Sequence, residues 1–453
     1  MSSNSPATSA SDSSRPGQRR GVFAFPRKFS LAPREMVVVV LPTTLVIMGD
    51  SLLYVVLPAR VAEFGLSTTL GLSVAFWIGL ALSINRFVRL GSNAFAASVY
   101  RRFGLRMPFV AAVALGALTT LAYAFSQGVM VLLLARALWG VSFSFLRLAS
   151  YLTAFEIGSS DTRGRLLGFY NSGQRLGSFI AVTGGAVLAD LTSRGVTFTV
   201  IAATGIIGVL VAAKAPSFRP GGLVTRGRAD RGGRKTGRVA WSVLVSRLPP
   251  GASSLRWPML SISFLRFATA FAANGLVIAT VAPYLEELVV NGSGSVFGIT
   301  VTVLTLAGLL VGVRWVSDLA LSIPLGHVSD RFGRRPAITV GLVFMLAALA
   351  VMGTLSVVEV VVIAMPVLFV ASVGVNTALD ASMGETAPDE VRPAAMGRYA
   401  TWQDLGSALG PLLGFLIAER LGFQTGYMIA AALLAGGLAH YLVVTRRAGR
   451  RTA

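Results

Sequence analysis

The chain has 453 residues, of which 54% are hydrophobic and only 13% charged, yet its formal net charge is +21 and its mean hydropathy +0.71. Charged residues make up about 25% of an ordinary soluble domain, so an ordinary soluble domain is excluded. Cysteine is absent, which removes disulfides, thiolate metal sites and thiol catalysis, and the two histidines, His327 and His440, leave little for a metal centre.

Residues 1–36 are rich in Ser and Pro, carry Arg15, Arg19, Arg20, Arg27, Lys28 and Arg34, and read as a disordered basic tail. A signal peptide is not expected, because the first apolar run is long enough to span a membrane and no small-residue cleavage site follows it. Runs able to cross a ~30 Å hydrocarbon core are predicted at 37–57, 70–97, 107–125, 129–155, 165–189 and 196–214. After a basic linker over 215–258 they resume at 259–285, 296–325, 336–356, 359–382, 395–418 and 424–444, followed by a basic tail over 445–453. The expected fold is therefore an all-α integral membrane protein, with six helices in 37–214 and six in 259–444.

Cations alternate from loop to loop. Arg101, Arg102, Arg106, Arg163, Arg165, Arg331, Arg334, Arg335 and the terminal arginines fall on one side together with both tails and the linker, whereas the alternate loops hold only Arg60, Arg194 and Arg420. By the positive-inside rule both termini and the linker are expected in the cytoplasm; the expected location is a bacterial inner membrane. The net charge is then mostly topology, with some attraction to anionic lipid headgroups, and it calls for no nucleic acid.

The chain also repeats itself. Gly326-His327-Val328-Ser329-Asp330-Arg331-Phe332-Gly333-Arg334-Arg335-Pro336 has a worn copy 229 positions earlier in Ala97-Ser98-Val99-Tyr100-Arg101-Arg102-Phe103-Gly104-Leu105-Arg106. The same offset lays Arg163-Gly164-Arg165 on Arg392-Pro393-Ala394, Glu156 on Glu385 and Leu176-Gly177-Ser178 on Leu405-Gly406-Ser407. One offset held without a gap indicates duplication, and so two pseudo-symmetric bundles.

The 326–336 stretch resembles the cytoplasmic loop signature of the major facilitator superfamily, which lies between helices 2 and 3 and again between helices 8 and 9. Leu134-Ala135-Arg136-Ala137-Leu138-Trp139-Gly140 resembles the family's helix-4 motif, with Trp139 where Gln is usual. Gly406-Ser407-Ala408-Leu409-Gly410-Pro411-Leu412-Leu413-Gly414 resembles the Gly-Pro motif that its exporters carry in helix 5, displaced here to helix 11. The resemblance implies twelve helices, alternating access and a cytoplasmic gate at Gly326, Asp330, Arg331, Gly333 and Arg334. Glu156 with Arg163 and Glu385 with Arg392 are expected to complete that gate together with Arg102. Solvated loop charges that merely fix topology are the bland alternative. The glycines of helices 5 and 11 suit close packing or, with Pro411, bending.

Charges inside the spans must face water or each other. Arg86, Arg89, Arg136, Arg147 and Arg175 make the first half cationic, while Asp318, Asp380 and Asp404 make the second anionic. Asp50 and Arg136 match in depth, as in the superfamily's proton-coupled exporters, and are read as a proton-coupling site or a static ion pair. Arg147 reads as a site for an anionic group, with pairing to Asp380 or a carbonyl as the alternative; Tyr151, Asn274, Asn376, Trp402 and Gln403 are candidate substrate contacts. Because the family packs helix 2 on helix 11 and helix 5 on helix 8, Arg89 should meet Asp404 and Arg175 should meet Asp318, in the inner half of the membrane, forming as the cytoplasmic mouth shuts. Arg314 competes for Asp318.

The expected function is a monomeric secondary transporter, not an enzyme, driven by a proton gradient without other cofactors and exporting a small organic molecule. Uptake or exchange of an anionic metabolite or metal chelate is the alternative, and a transport-inactive receptor the alternative of another class. No Gly-x-x-x-x-Gly-Lys-Ser/Thr loop is present to supply ATP driving.

Overall fold

The computed structural model describes residues 33–159, 162–217, 255–289, 293–296, 298–388 and 392–452. In the first half these form α1 (Arg34–Ala59), α2 (Val74–Phe103), α3 (Arg106–Phe125), α4 (Val129–Ile157), α5 (Arg163–Leu191) and α6 (Arg194–Ala212). In the second they form α7 (Arg256–Leu288), α8 (Val303–Phe332), α9 (Arg334–Thr354), α10 (Val358–Thr386), α11 (Arg392–Leu421) and α12 (Phe423–Thr452). Ten of the twelve are long and apolar enough to cross a membrane on length and composition alone. The other two, α5 and α11, occupy equivalent places in the two halves and carry charges part-way along, Arg175 and Asp404. Each is packed between two other helices: α5 against α1 and α8, α11 against α7 and α2.

Three features depart from the predicted spans. Ser293–Val296 and Ile299–Thr302 form an antiparallel hairpin, β1 and β2, with Ser293 opposite Thr302, so α8 starts seven residues after the predicted 296. The β-branched run Ile299-Thr300-Val301-Thr302 favours extended backbone, and Gly298 turns the chain at φ +81°. The last helix runs on to Thr452, through the basic residues read as a tail. Within α7, Ala270–Val277 is π-helical, which re-aims Asn274. Most of the expected basic tail and linker, residues 1–32 and 218–254, lies outside the described residues.

The duplication governs how the helices begin and end. Ser73 and Thr302, one repeat apart, cap α2 and α8, their hydroxyls accepting from the Phe76 and Thr305 amides at 3.2 and 3.3 Å. Gly104 and Gly333 end the same two helices at φ 76° and 93°, where a side chain is strained, which is why both copies of the loop keep Phe-Gly. The loops that follow make a basic end of the molecule, bearing Arg101, Arg102, Arg106, Arg331 and Arg335.

The opposite end is where the two bundles meet. There the capping hydroxyls also reach across: Ser73 donates to Glu419 of α11 at 2.6 Å, and Thr302 donates to Asp190 of α5, which also accepts from Thr305 at 2.6 Å. Asp190 and Glu419 are again equivalent positions, so the closure is a symmetric pair of carboxylate–hydroxyl clasps. Arg60 anchors Asp190 at 2.9 Å. Deeper in, the equivalent Gly79 and Gly308 let backbones touch. A Cβ at Gly79 would stand 2.9 Å from the Leu412 Cα, and one at Gly308 would collide with the Val182 carbonyl. Ser83 bridges the same seam, donating to the Ala408 carbonyl at 2.5 Å.

A charge-assisted hydrogen bond is worth about 1.5–3 kcal/mol net. Replacing both Asp190 and Glu419 by Ala leaves the helix caps intact and should open this end at least roughly tenfold more often. A single cysteine at the buried Ser83, in a chain with none of its own, should then react correspondingly faster with a water-soluble maleimide. An unchanged rate would show that the clasps do not hold the end shut.

Candidate functional site

Between the bundles lies a cavity of about 520 Å³. It runs from Asp50, Tyr54 and Ile278 toward the basic end, reaching Tyr151, Ser322 and Asp380. Near that end the equivalent Gly168 and Gly397 have nothing within 4 Å of a Cβ position, in contrast to Gly79 and Gly308. The bundles thus join at the clasped end and part toward the basic end.

The wall is unusually charged for a membrane interior. Arg86, Arg89, Arg147, Arg175, Arg266 and Arg314 line it, with Asp50, Asp318, Asp380 and Asp404. Arg136 stands directly behind Asp50, fully buried. Seven arginines against four aspartates leave three positive charges in excess. The expected division into a cationic first half and an anionic second is corrected by Arg266 and Arg314, which bring cations from α7 and α8.

Asp50 and Arg136 are joined by a direct ion pair. The same carboxylate oxygen accepts from Asn85 at 3.2 Å, and Arg136 Nε donates to the Ala81 carbonyl at 2.8 Å. The Tyr54 ring lies 5.4 Å from the guanidinium centres of both Arg86 and Arg136. The arginine is thereby locked to α2 backbone, whereas the carboxylate faces the cavity.

The crossed pairs are present: Arg89 Nη2 lies 3.2 Å from Asp404, and Arg175 Nε lies 3.5 Å from Asp318. Arg314 also binds Asp318 at 2.6 Å and donates twice to Asn274 at 3.2 Å. Their setting differs from expectation in two respects. Arg89 and Asp318 sit midway along 30-residue helices, not in the inner half, and the pairs are made while the basic end stands open. Counting from the loop signature alone left the outer halves of the same helices out of the measure.

Of the other candidates, Arg147 pairs with neither Asp380 nor a carbonyl; its nearest acid is Asp404, at 3.9 Å. Asp380 takes the Tyr399 hydroxyl at 2.6 Å and faces Arg266 at 3.9 Å. Tyr151 lines the cavity edge-on to Tyr170, with centroids 5.9 Å apart. Asn376 accepts from Thr269 at 3.2 Å, and Gln403 accepts from Arg266 at 3.2 Å. Trp402 is not on the cavity wall; it packs edge-on against Phe267 at 5.9 Å, about 100° around the helix from Gln403.

At the basic end Arg334 pairs with Asp330 and donates to Glu385 at 2.9 and 3.0 Å, tying α8, α9 and α10 together inside one bundle. The first half carries Arg101 and Leu105 where the second has Asp330 and Arg334. Glu385 is taken up by Arg334, and no ion pair joins Arg163 to Glu156 among the described residues. Equivalently placed, Arg163 and Arg392 donate to the carbonyls that end α4 and α10, Gly158 at 3.0 Å and Ala387 at 3.2 Å. Arg102 and Arg331 lie over the rings of Phe103 and Phe332, at 5.3 and 5.7 Å.

Most of the glycines in the two rows are packing contacts: Gly173, Gly177 and Gly185 of α5 abut α1, and Gly406, Gly410 and Gly414 of α11 abut α7, whereas Gly168 and Gly184 meet nothing within 4 Å. This architecture matches a family model described as Major Facilitator Superfamily over residues 39–312 and 267–453. The chain belongs to that superfamily.

Among curated relatives, "Multidrug resistance protein MdtG" of Proteus mirabilis (strain HI4320) is 25% identical over 397 residues, covering 85% of this chain and 89% of the relative. The protein of the same name from Escherichia coli O9:H4 (strain HS) is 22% identical over 387 residues, covering 85% and 88%. Solved structures with the same fold include a bacterial homolog of the human lysosomal transporter Spinster, in an inward-facing and unoccupied conformation (TM-score 0.66, 15% identity, 92% of this chain and 98% of that one). Another is the nucleoside transporter NupG (TM-score 0.67, 12% identity, 91% and 99%). The protein is a multi-pass membrane transporter with a small-molecule substrate, and not an enzyme.

Losing one member of a buried pair strands the other, at about 3–5 kcal/mol. Arg136→Met should accordingly lower the unfolding temperature of the purified transporter sharply, and adding Asp50→Asn should recover much of that loss. A double variant no more stable than the single one would mean that the stranded carboxylate is not the cause.

Proposed function

We propose that this superfamily member exports a small organic molecule in exchange for protons, with Asp50 as the proton carrier. The observation that carries the reading is the placement of Asp50: a carboxylate on the wall of the central cavity, backed by a fully buried arginine. Protonating Asp50 removes its charge from Arg136, which keeps the Ala81 carbonyl but loses its ionic tie to α1. The contact between α1 and α4 then weakens when the proton is aboard and tightens when it leaves, which is the coupling an exchanger requires. Export as the direction is supported by the multidrug resistance relatives.

In this reading the basic end is cytoplasmic, in a bacterial inner membrane, and the cavity stands open to the cytoplasm, where an exporter loads. The Asp330–Arg334–Glu385 network braces the cytoplasmic face of the second bundle as its gate, and the basic termini rest on anionic headgroups. A monomer suffices, since cavity and coupling pair lie within one chain.

The test uses proteoliposomes and the efflux of a fluorescent solute, fluorescein or rhodamine 123, with and without a pH gradient. Wild-type flux should rise with a gradient that supplies protons from the receiving side. Asp50→Asn should lose that response while still exchanging solute down its own gradient. Full retention of the gradient's effect would leave Asp50 and Arg136 as a static ion pair.

A further inference from the structure

We propose that Arg86, Arg89 and Arg147, grouped around Asp404, form an oxyanion subsite, and that the transported solute carries a carboxylate or phosphate group. The proposal rests on the central cavity being the transport path, and it is independent of how transport is coupled to protons.

The cavity's excess positive charge is not spread evenly. Asp50 answers Arg136; Asp318 and Asn274 answer Arg314 and Arg175; Asp380 and Gln403 answer Arg266. On the wall made by α2 and α4, Arg89 and Arg147 share the single carboxylate of Asp404, and Arg86 beside them pairs with no carboxylate among the described residues. Arg89 holds one oxygen of Asp404 at 3.2 Å, yet the Arg89 Nε is buried with no hydrogen-bond partner. Arg147 stands 3.9 Å from the other oxygen, beyond hydrogen-bond length, with its side chain 31% exposed to the cavity. Arg86 spends one donor on the Ser407 carbonyl and lies over Tyr54.

An arginine fork at this depth with unmet donors has a defined complement. Guanidinium binds carboxylate and phosphate bidentately, and a desolvated excess of positive charge is relieved by an anion. Asp404 is then the tethered stand-in that partly neutralises the group between transport cycles. A solute oxyanion takes up the Arg147 fork and leaves Asp404 to Arg89. Tyr151 borders the same place, held edge-on to the buried Tyr170, and offers its ring to the rest of the solute.

The binding test uses two dyes on one xanthene skeleton, anionic fluorescein and cationic rhodamine 123, titrated by fluorescence anisotropy against the purified full-length protein. Fluorescein should bind at least roughly tenfold more tightly. Arg147→Gln and Arg86→Gln should each weaken fluorescein severalfold without weakening rhodamine 123, and Asp404→Asn should strengthen fluorescein. Displacement by benzoate marks a carboxylate site and displacement by inorganic phosphate a phosphate site. Rhodamine 123 binding as tightly as fluorescein, equal losses for both dyes, or displacement by neither anion would overturn the proposal.

A second arm needs no bound ligand. A single cysteine placed at Tyr151, one turn from Arg147, is reacted with anionic and cationic methanethiosulfonates, each rate being referred to a free thiol. The anionic reagent should be favoured, and Arg147→Gln in that background should reduce the preference. A ratio favouring the cationic reagent, or one unmoved by Arg147→Gln, overturns the subsite even where the dyes discriminate. Neither arm depends on Asp50, so failure here leaves proton coupling standing, and failure of coupling leaves the subsite standing.

Discussion

An ionised side chain at mid-membrane costs about 2.5–3.5 kcal/mol on insertion scales, and this chain gathers seven arginines and four aspartates around one cavity. None of these groups can be left facing hydrocarbon, so each must find water, a carbonyl or a counter-charge on a neighbouring helix. The positions of α2, α5, α8 and α11 follow from that requirement. Arg89 and Asp404 hold α2 to α11, Arg175 and Asp318 hold α5 to α8, and the aqueous cavity between the two seams solvates the rest. The two helices that fail a simple apolarity test, α5 and α11, are each sandwiched between others for the same reason.

The duplication separates two kinds of residue. Positions kept alike in both copies do mechanical work: Ser73 and Thr302 cap and clasp, Asp190 and Glu419 receive the clasps, Gly79 and Gly308 allow contact, and Arg163 and Arg392 close the ends of α4 and α10. Positions that have diverged carry charge asymmetry. Arg89 and Asp318 are equivalents of opposite sign, as are Arg175 and Asp404, and Arg101 and Leu105 replace the acid and base of the second loop network. Had the signs of either copy been kept in both, each seam would set arginine against arginine or aspartate against aspartate and would repel. Reversing them gathers arginines on the first bundle, where Arg86 and Arg147 also stand.

Much of this was legible in the sequence because it depends on spacing. A single offset identifies the repeat, hydropathy marks the spans, and depth along a 1.5 Å rise pairs Asp50 with Arg136. The crossed pairs were legible only through the helix adjacency that the family resemblance supplied. What escaped depends on azimuth and on helix length. Trp402 and Gln403 are neighbours in sequence but face different surroundings. Arg266 lies close to the start of α7, where an arginine reads as interfacial, yet it is 7% exposed and belongs to the cavity wall. The hairpin before α8 sat inside an apolar run, so its alternation was absorbed into the predicted span. The carbonyl bonds of Arg163 and Arg392 were hidden because a nearby glutamate offered the simpler pairing.

A transporter needs two closures of comparable stability, since a gap of more than a few kcal/mol would trap it in one. The arrangement of contacts meets this by depth. At the clasped end the bonds are hydroxyl to carboxylate, near water, and each can be exchanged for hydration at modest cost. At mid-depth the arginine–aspartate pairs stand between the cavity and packed helices, where ions are only partly hydrated and separating them costs more than at the rim. Arg89–Asp404 and Arg175–Asp318 lie where the contact between the bundles gives way to the cavity, and they are intact while the basic end is open. Mid-depth is also where two rigid bundles can rock with least displacement, so strong pairs there suit a pivot and weak clasps at the rim suit contacts that make and break.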